Sequence, residues 1–127
     1  MSYEIIIKSE FSAAHKVRLH KGAQESLHGH NWFVEARIGG KKLNNDGIML
    51  DFITARDLLK NVLAELDHHN LNEAEVLNGE NPTAERIARY IFENFEKVIK
   101  AHSVKLISIT VWETPSCAAI YSGNRRT

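Results

Sequence analysis

The tripeptide His28-Gly29-His30 is the feature of this sequence with the clearest potential for chemistry. On an extended strand, residues two apart point to the same face, so both imidazoles can reach one cation. A third histidine, His15, ends an apolar segment that we expect to be the neighbouring strand. Three neutral imidazoles leave a fourth tetrahedral position open, the pattern of catalytic rather than structural zinc. The alternative is a surface turn with ordinary histidines, since such pairs also occur by chance.

Two further groups could take part in proton transfer or substrate binding. Asp67 precedes His68 after a predicted helix, and a neighbouring carboxylate can orient an imidazole and raise its basicity. The alternative is a solvated helix terminus. Glu113 ends an apolar strand, where a carboxylate can accept two hydrogen bonds from an amidine-like donor pair such as a guanine or pterin edge. Taken alone, a surface glutamate before a turn is the simpler interpretation of Glu113.

The hydrophobic pattern predicts the elements that carry these residues. We expect strands at 3–15, 28–38, 104–113 and 117–121, and two helices between the second and third strands. The first helix is capped by Asp51 and runs to about Leu66, and the second begins with Asn81 as N-cap and Pro82 at its first position. The order β-β-α-α-β-β predicts an α+β fold, with a four-stranded antiparallel sheet and two helices on one face. Oligomerisation that extends the sheet would protect its exposed edges.

Size and composition indicate a single domain over residues 1–127, with 43% apolar and 25% charged residues. Sixteen basic residues balance sixteen acidic ones, which argues against binding to nucleic acid or to a membrane surface. The single cysteine excludes an intrachain disulfide framework. No apolar run approaches the ~20 residues of a membrane span, and the first residues lack a signal-peptide pattern. We therefore expect a cytoplasmic protein.

A set of motifs in fixed order resembles the 6-pyruvoyl-tetrahydropterin synthase / 6-carboxy-tetrahydropterin synthase family. The motifs are FSAAH, HGHNW, GIMLDF, LDHHNLN, NPTAE and the ET of VWET, and they span nearly the whole chain. HGHN, DHxxLN and NPTxE are specific in combination. The resemblance implies a T-fold, whose subunits form trimeric barrels that stack into hexamers with active sites at subunit interfaces.

The resemblance also implies roles for individual residues. The zinc ligands of the family match His15, His28 and His30, and its catalytic Asp-His pair matches Asp67 and His68. The expected cofactor is therefore Zn2+.

Substrate contacts are implied for two more residues. Glu113 matches the carboxylate that anchors the pterin ring, and His69 has no matching role. Thr83, within NPTAE, is a candidate substrate contact, although a helix-capping role explains it equally well. Binding of a triphosphate substrate also needs positively charged side chains. The sequence does not distinguish among four candidates: Lys16, Arg18, Lys21 and Arg86.

One departure from the family pattern decides the expected reaction. The pyruvoyl and carboxy enzymes use a cysteine before HGH as catalytic base; in the carboxy type it stands where this chain has Gln24, and Cys117 lies at no matching position. Instead, Glu25 stands three residues before His28, and ExxHGH resembles the glutamate-type subgroup. That subgroup cleaves the side chain of 7,8-dihydroneopterin triphosphate to 6-hydroxymethyl-7,8-dihydropterin for folate synthesis. We therefore expect a zinc-dependent carbon–carbon lyase with Glu25 as general acid/base.

Two alternatives stay open. The chain could be a 6-carboxytetrahydropterin synthase of queuosine biosynthesis, or a 6-pyruvoyl-tetrahydropterin synthase, in which Glu25 or a neighbour replaces the cysteine; the missing thiol argues against this. It could also be a non-catalytic pterin-binding module, but the retained histidines and the Asp-His pair argue against a pure binding role.

Overall fold

The first two strands form a long hairpin on which the rest of the fold is built. In the computed structural model, which describes residues 2–123, β1 spans Tyr3–His15 and β2 spans His28–Gly40. The strands pair antiparallel over their full length. Alternate residues point inward, so that Phe11 and Trp32 lie opposite each other in the core and their rings stack. The predicted bounds of these strands are confirmed within two residues.

The remaining elements complete a two-layer α+β fold. They are α1 (Phe52–Leu63), β3 (His69–Asn70), α2 (Ala84–Ile99), β4 (Lys105–Thr114) and β5 (Cys117–Ser122). The strand order in the sheet is β3-β1-β2-β4-β5. Both helices pack on one face of the sheet, as predicted, and the core between the layers includes the fully buried side chains of Trp32, Leu59, Ile91, Phe95 and Ile109.

The predicted strand number and purely antiparallel pairing are wrong. The sheet has five strands, and the extra one, β3, runs parallel to β1 opposite Ala13 and Ala14. The chain leaving α1 returns alongside the end of β1, where the amide of His68 donates to Ser12 and that of Leu71 donates to Ala14. A two-residue strand has too little hydrophobic pattern to be predicted from sequence.

Helix α1 has the predicted cap, because the Asp51 carboxylate accepts a hydrogen bond from the Thr54 amide at 2.9 Å. The helix ends at Leu63, earlier than predicted. The amides of Leu66 and Asp67 both donate to the Leu63 carbonyl, which closes the helix with a tight turn.

The predicted cap of α2 is wrong. The N-cap is Thr83, whose hydroxyl accepts a hydrogen bond from the Arg86 amide at 3.2 Å. Asn81 and Pro82 lie before the helix, because the Asn81 side chain pairs with the main chain of Arg18 instead.

The two sheet edges differ in how they are covered. β3 covers only the end of β1, so the outer edge of Tyr3–Phe11 has no strand beside it among the described residues. β5 forms the opposite edge. Within residues 2–123, neither helix has the length and apolar character needed to cross a membrane.

Candidate metal centre and active site

The β1–β2 hairpin brings three histidines together at its open end. His15, the last residue of β1, lies opposite His28, the first of β2, and His30 lies opposite Ala13. The ring centroids are 4.8 Å apart for His15 and His28, 5.4 Å for His15 and His30, and 4.6 Å for His28 and His30. His15 is fully buried, whereas the other two are partly exposed. The predicted convergence of these rings is present in the structure.

Main-chain carbonyls orient two of the rings. His15 Nδ1 donates to the Pro82 carbonyl at 2.8 Å, and His28 Nδ1 donates to the Ser26 carbonyl at 2.7 Å. A carbonyl oxygen can only accept, so each Nδ1 carries a proton, and in the neutral imidazole this leaves the lone pair on Nε2. In metal-binding histidines, the ring nitrogen that does not bind the metal typically donates such a hydrogen bond. Neither carbonyl contact is predictable from the sequence motifs.

Glu113 joins the same cluster from β4. Its two carboxylate oxygens lie 3.8 Å from His15 Nε2 and 3.5 Å from His30 Nε2. Val111 pairs with Val34 and points inward, so Glu113, two residues further along, faces the same side. The sequence predicts Glu113 as a substrate-binding residue and does not predict it as a metal ligand. The alternation of inward-facing side chains along β4 is the sequence signal that indicates this orientation of Glu113.

The four side chains are suited to a divalent metal ion. Their candidate ligand atoms all lie within 4.8 Å of one another. Among residues 2–123, the only buried side-chain nitrogen or oxygen atoms without a hydrogen-bond partner are His15 Nε2 and His30 Nε2. Burial lowers the pKa of His30, against the opposing effect of the Glu113 carboxylate, and a lowered pKa favours the neutral imidazole that binds metal. Imidazole nitrogen and carboxylate oxygen are donors that divalent metal ions such as zinc accept.

Glu25 lies beside this cluster. Its Oε1 is 4.0 Å from His28 Nε2 and accepts a hydrogen bond from the Val17 amide at 3.2 Å. The Glu25 amide in turn donates to the Val17 carbonyl at 3.0 Å. The predicted acid/base residue is therefore half-buried at the edge of the histidine cluster and held by the loop that joins β1 to β2.

Asp67 and His68 lie apart from the cluster within one chain. Asp67 Oδ1 accepts from the Ser12 amide at 2.9 Å, and its Oδ2 is 3.7 Å from His68 Nε2. The pair sits at the outer edge of β1, on the side of β3, whereas His28 and His30 lie on β2. The His68 side chain is 82% exposed. The two side chains face each other, but the structure does not bring them into the histidine cluster of the same chain, and their role as a proton relay stays a prediction.

The remaining predicted residues have other contacts. The Thr83 hydroxyl caps α2, and its contact with substrate stays a prediction. Arg86 pairs with Glu80 at 2.9 Å. The other candidate cations lie in the loop that carries Glu25: Lys16, Arg18 and Lys21. Cys117 is exposed at the start of β5.

Several known proteins are similar to this chain in sequence and in structure. The chain is 35% identical over 113 residues to the dihydroneopterin monophosphate aldolase of Pyrococcus furiosus, covering 89% of this chain and 91% of the relative. It is 30% identical over 126 residues to the 6-carboxy-5,6,7,8-tetrahydropterin synthase of Rickettsia conorii, covering 85% and 91%. The structure of Caenorhabditis elegans 6-pyruvoyl tetrahydropterin synthase superposes with a TM-score of 0.85 at 26% identity, over 98% of this chain and 97% of that one.

The similarity extends over almost the whole sequence. Residues 4–124 match the sequence pattern of 6-pyruvoyl tetrahydropterin synthase, and the fold is the T-fold of the superposed enzyme. The chain belongs to the 6-pyruvoyl tetrahydropterin synthase family.

Proposed function

We propose that this protein is a zinc-dependent carbon–carbon lyase. It cleaves the side chain of a phosphorylated 7,8-dihydroneopterin and releases 6-hydroxymethyl-7,8-dihydropterin. The observation that carries the proposal is the position of Glu25, whose carboxylate faces the His28 ligand atom at 4.0 Å where a general base would be needed. The name of the Pyrococcus furiosus relative, a dihydroneopterin monophosphate aldolase, supports the same reaction class.

The histidine cluster would hold the metal of this enzyme. His15, His28 and His30 provide three neutral nitrogens, which is the ligand set of catalytic zinc sites with an open position. Zinc bound there supplies a Lewis acid that polarises a substrate oxygen and favours its deprotonation.

The residues of the chain then account for the proton transfers. Glu25 removes the proton from the hydroxyl on the second side-chain carbon of the substrate. The bond between the first and second side-chain carbons breaks, and an aldehyde carrying the phosphate leaves. The electron pair passes to the pterin-bearing carbon, which takes up a proton that Glu25, now acting as general acid, returns to it. The atoms and electrons balance without an oxidant or reductant, so the reaction needs only acid/base groups and charge stabilisation.

Asp67 and His68 would provide the second proton relay. His68 has a positive φ of 60°, a costly backbone conformation for a residue other than glycine and one that often occurs at functional sites. Since the pair lies apart from the metal ligands of its own chain, we propose that it serves the metal site of a neighbouring subunit. The uncovered edge of β1 and the edge strand β5 are suited to sheet extension between copies, as in the hexamer expected from the resemblance.

Glu113 would anchor the pterin ring. A carboxylate can accept two parallel hydrogen bonds from the amino and ring N–H groups of a pterin. Its distance of 3.5 Å from His30 Nε2 would bring the side chain of a bound pterin close to the metal ligands.

Product analysis tests the proposal. The zinc-loaded protein is incubated with 7,8-dihydroneopterin triphosphate and, separately, with the monophosphate. Formation of 6-hydroxymethyl-7,8-dihydropterin from either supports the lyase, and the faster substrate identifies the phosphorylation state. The Rickettsia conorii relative favours a second candidate, 6-carboxy-5,6,7,8-tetrahydropterin synthase, for which 6-carboxytetrahydropterin would be the product. Tight pterin binding with no product would instead indicate a binding module.

A further inference from the structure

Two asparagine side chains hold the segment that follows the metal ligand His15. The Asn72 amide group accepts from the Lys16 N–H at 2.8 Å and donates to the Lys16 carbonyl at 2.8 Å. The Asn81 amide group does the same with Arg18, at 2.8 Å and 3.0 Å. Each carboxamide therefore contacts one residue of the segment as a neighbouring strand would, with one donor and one acceptor.

Between these two clamped residues lies Val17, which contacts Glu25. In an extended segment, the N–H and C=O of successive residues point to opposite edges. Lys16 and Arg18 accordingly present their groups to the asparagines, while Val17 presents both of its groups to Glu25. The Val17 N–H is the hydrogen-bond donor to the Glu25 carboxylate, at 3.2 Å.

We propose that Asn72 and Asn81 are positioning residues for the reaction, acting through Val17 on the carboxylate of Glu25. This inference rests on the proposed function, because it assumes that Glu25 is the general acid/base. Asn72 follows β3 and Asn81 precedes α2, so two separate parts of the chain fix the same three residues. Their side chains substitute for a strand that β1 lacks beyond His15.

The geometry explains why two clamps are needed. Glu25 lies on an irregular loop, and its carboxylate is 35% exposed, so packing alone does not fix it. A shift of the Val17 amide would carry the carboxylate away from His28, and a displacement of about 1 Å at a reacting group can reduce the rate about 100-fold. The metal ligand His15 is oriented separately, through the Pro82 carbonyl.

A double-mutant cycle tests the proposal. N72A and N81A are each made alone and combined with E25Q, and Asn94→Ala serves as control because its amide bonds the Tyr90 carbonyl within α2. We expect N72A and N81A to lower kcat by about 10–100-fold with a smaller change in KM, at unchanged metal content. In the E25Q background the same changes should have almost no further effect on kcat, because the group they position no longer acts.

Amide hydrogen exchange supplies a second measurement. Peptides that cover residues 16–25 should exchange faster in N72A and N81A than in the parent and in Asn94→Ala, while peptides from β2 should not change. If an alanine variant fails to fold, the isosteric N72D or N81D, which keeps the acceptor but loses the donor, is measured instead.

The outcomes separate the two proposals. An unchanged kcat in both asparagine variants would overturn the positioning role. So would equal fold-losses of kcat in the wild-type and E25Q backgrounds. Neither result would contradict the proposed lyase function. Full kcat in E25Q would instead overturn the assignment of the base. A loss of metal in N81A but not in N72A would assign Asn81 to the support of His15 and contradict its action through Val17.

Discussion

His15 and His28 are cross-strand partners: the last residue of β1 lies opposite the first residue of β2, with ring centroids 4.8 Å apart. Their approach depends on the register of the whole hairpin, which starts with Tyr3 opposite Gly40. A slip of one residue would turn one strand's side chains to the other face and separate the rings. The core pairs of β1 and β2 therefore also fix the geometry of the candidate metal site.

The proposed metal site predicts the behaviour of His28→Ala. Removal of one of three imidazoles should abolish stoichiometric metal binding and turnover together, because two remaining nitrogens hold a divalent ion far more weakly. Metal content is measured by plasma mass spectrometry after dialysis, and circular dichroism checks the fold. His102→Ala, at an exposed position beyond α2, is the matched control and should keep both properties. Full metal content in His28→Ala would contradict the assigned ligand set.

The proposed general acid/base predicts that Glu25→Gln keeps its metal and binds pterin normally. Its turnover should fall by about 10²–10⁴-fold, the usual contribution of acid–base catalysis. Glu93→Gln, which removes an exposed carboxylate paired with Arg89 on α2, is the control. Steady-state kinetics on the zinc-loaded protein provide the comparison, and wild-type turnover in Glu25→Gln would remove the basis for the lyase mechanism.

Glu113 has two candidate partners, the pterin and the metal, and the Glu113→Ala variant distinguishes these two roles. Glu113→Ala should raise the Kd and KM for pterin by about 10–100-fold, since a hydrogen bond to a charged group contributes about 1.5–3 kcal/mol. Metal content should stay near wild type because three imidazoles are retained. Pterin binding is followed by fluorescence quenching. Loss of metal with undiminished pterin affinity would show that Glu113 acts as a ligand instead.

The cap at Thr83 predicts a change in stability. Thr83→Ala should lower the free energy of unfolding by about 0.5–2 kcal/mol, and Thr83→Asp should restore most of it because aspartate is an equally good N-cap. Urea denaturation of both variants measures this. If Thr83 also contacts substrate, KM should rise in both variants, whereas a cap alone predicts an unchanged KM in Thr83→Asp.

A shared active site predicts complementation between inactive variants. His28→Ala lacks a metal ligand and His68→Ala lacks the relay, so each alone should be inactive. Subunits mixed in equal amounts and reassembled should regain activity in about a quarter of the sites, if each site combines residues from two copies in a closed ring. Light scattering verifies assembly, and unmixed variants are the control. No recovery in verified mixed oligomers would place the complete site within one chain.

The sequence was informative wherever a residue's role depended on its near neighbours. Strand alternation correctly predicted the shared face of His28 and His30, and the position of Asp51 correctly predicted the cap of α1. The sequence led to a wrong prediction where two residues were candidates for one role, the N-cap of α2. Asn81 is a good N-cap by type, but its amide is taken by Arg18, so Thr83 caps α2.

By itself the sequence determined the family, the two helices, the four main strands and which three histidines are candidate metal ligands, because periodicity and motifs are local properties. Only the tertiary structure decided that Glu113 faces these histidines, that β3 joins β1, and that Asn72 and Asn81 hold the segment before Glu25. These contacts join residues up to 98 positions apart, as in His15 and Glu113. They arise when the sheet pairs and the helices pack on it, which no local pattern encodes.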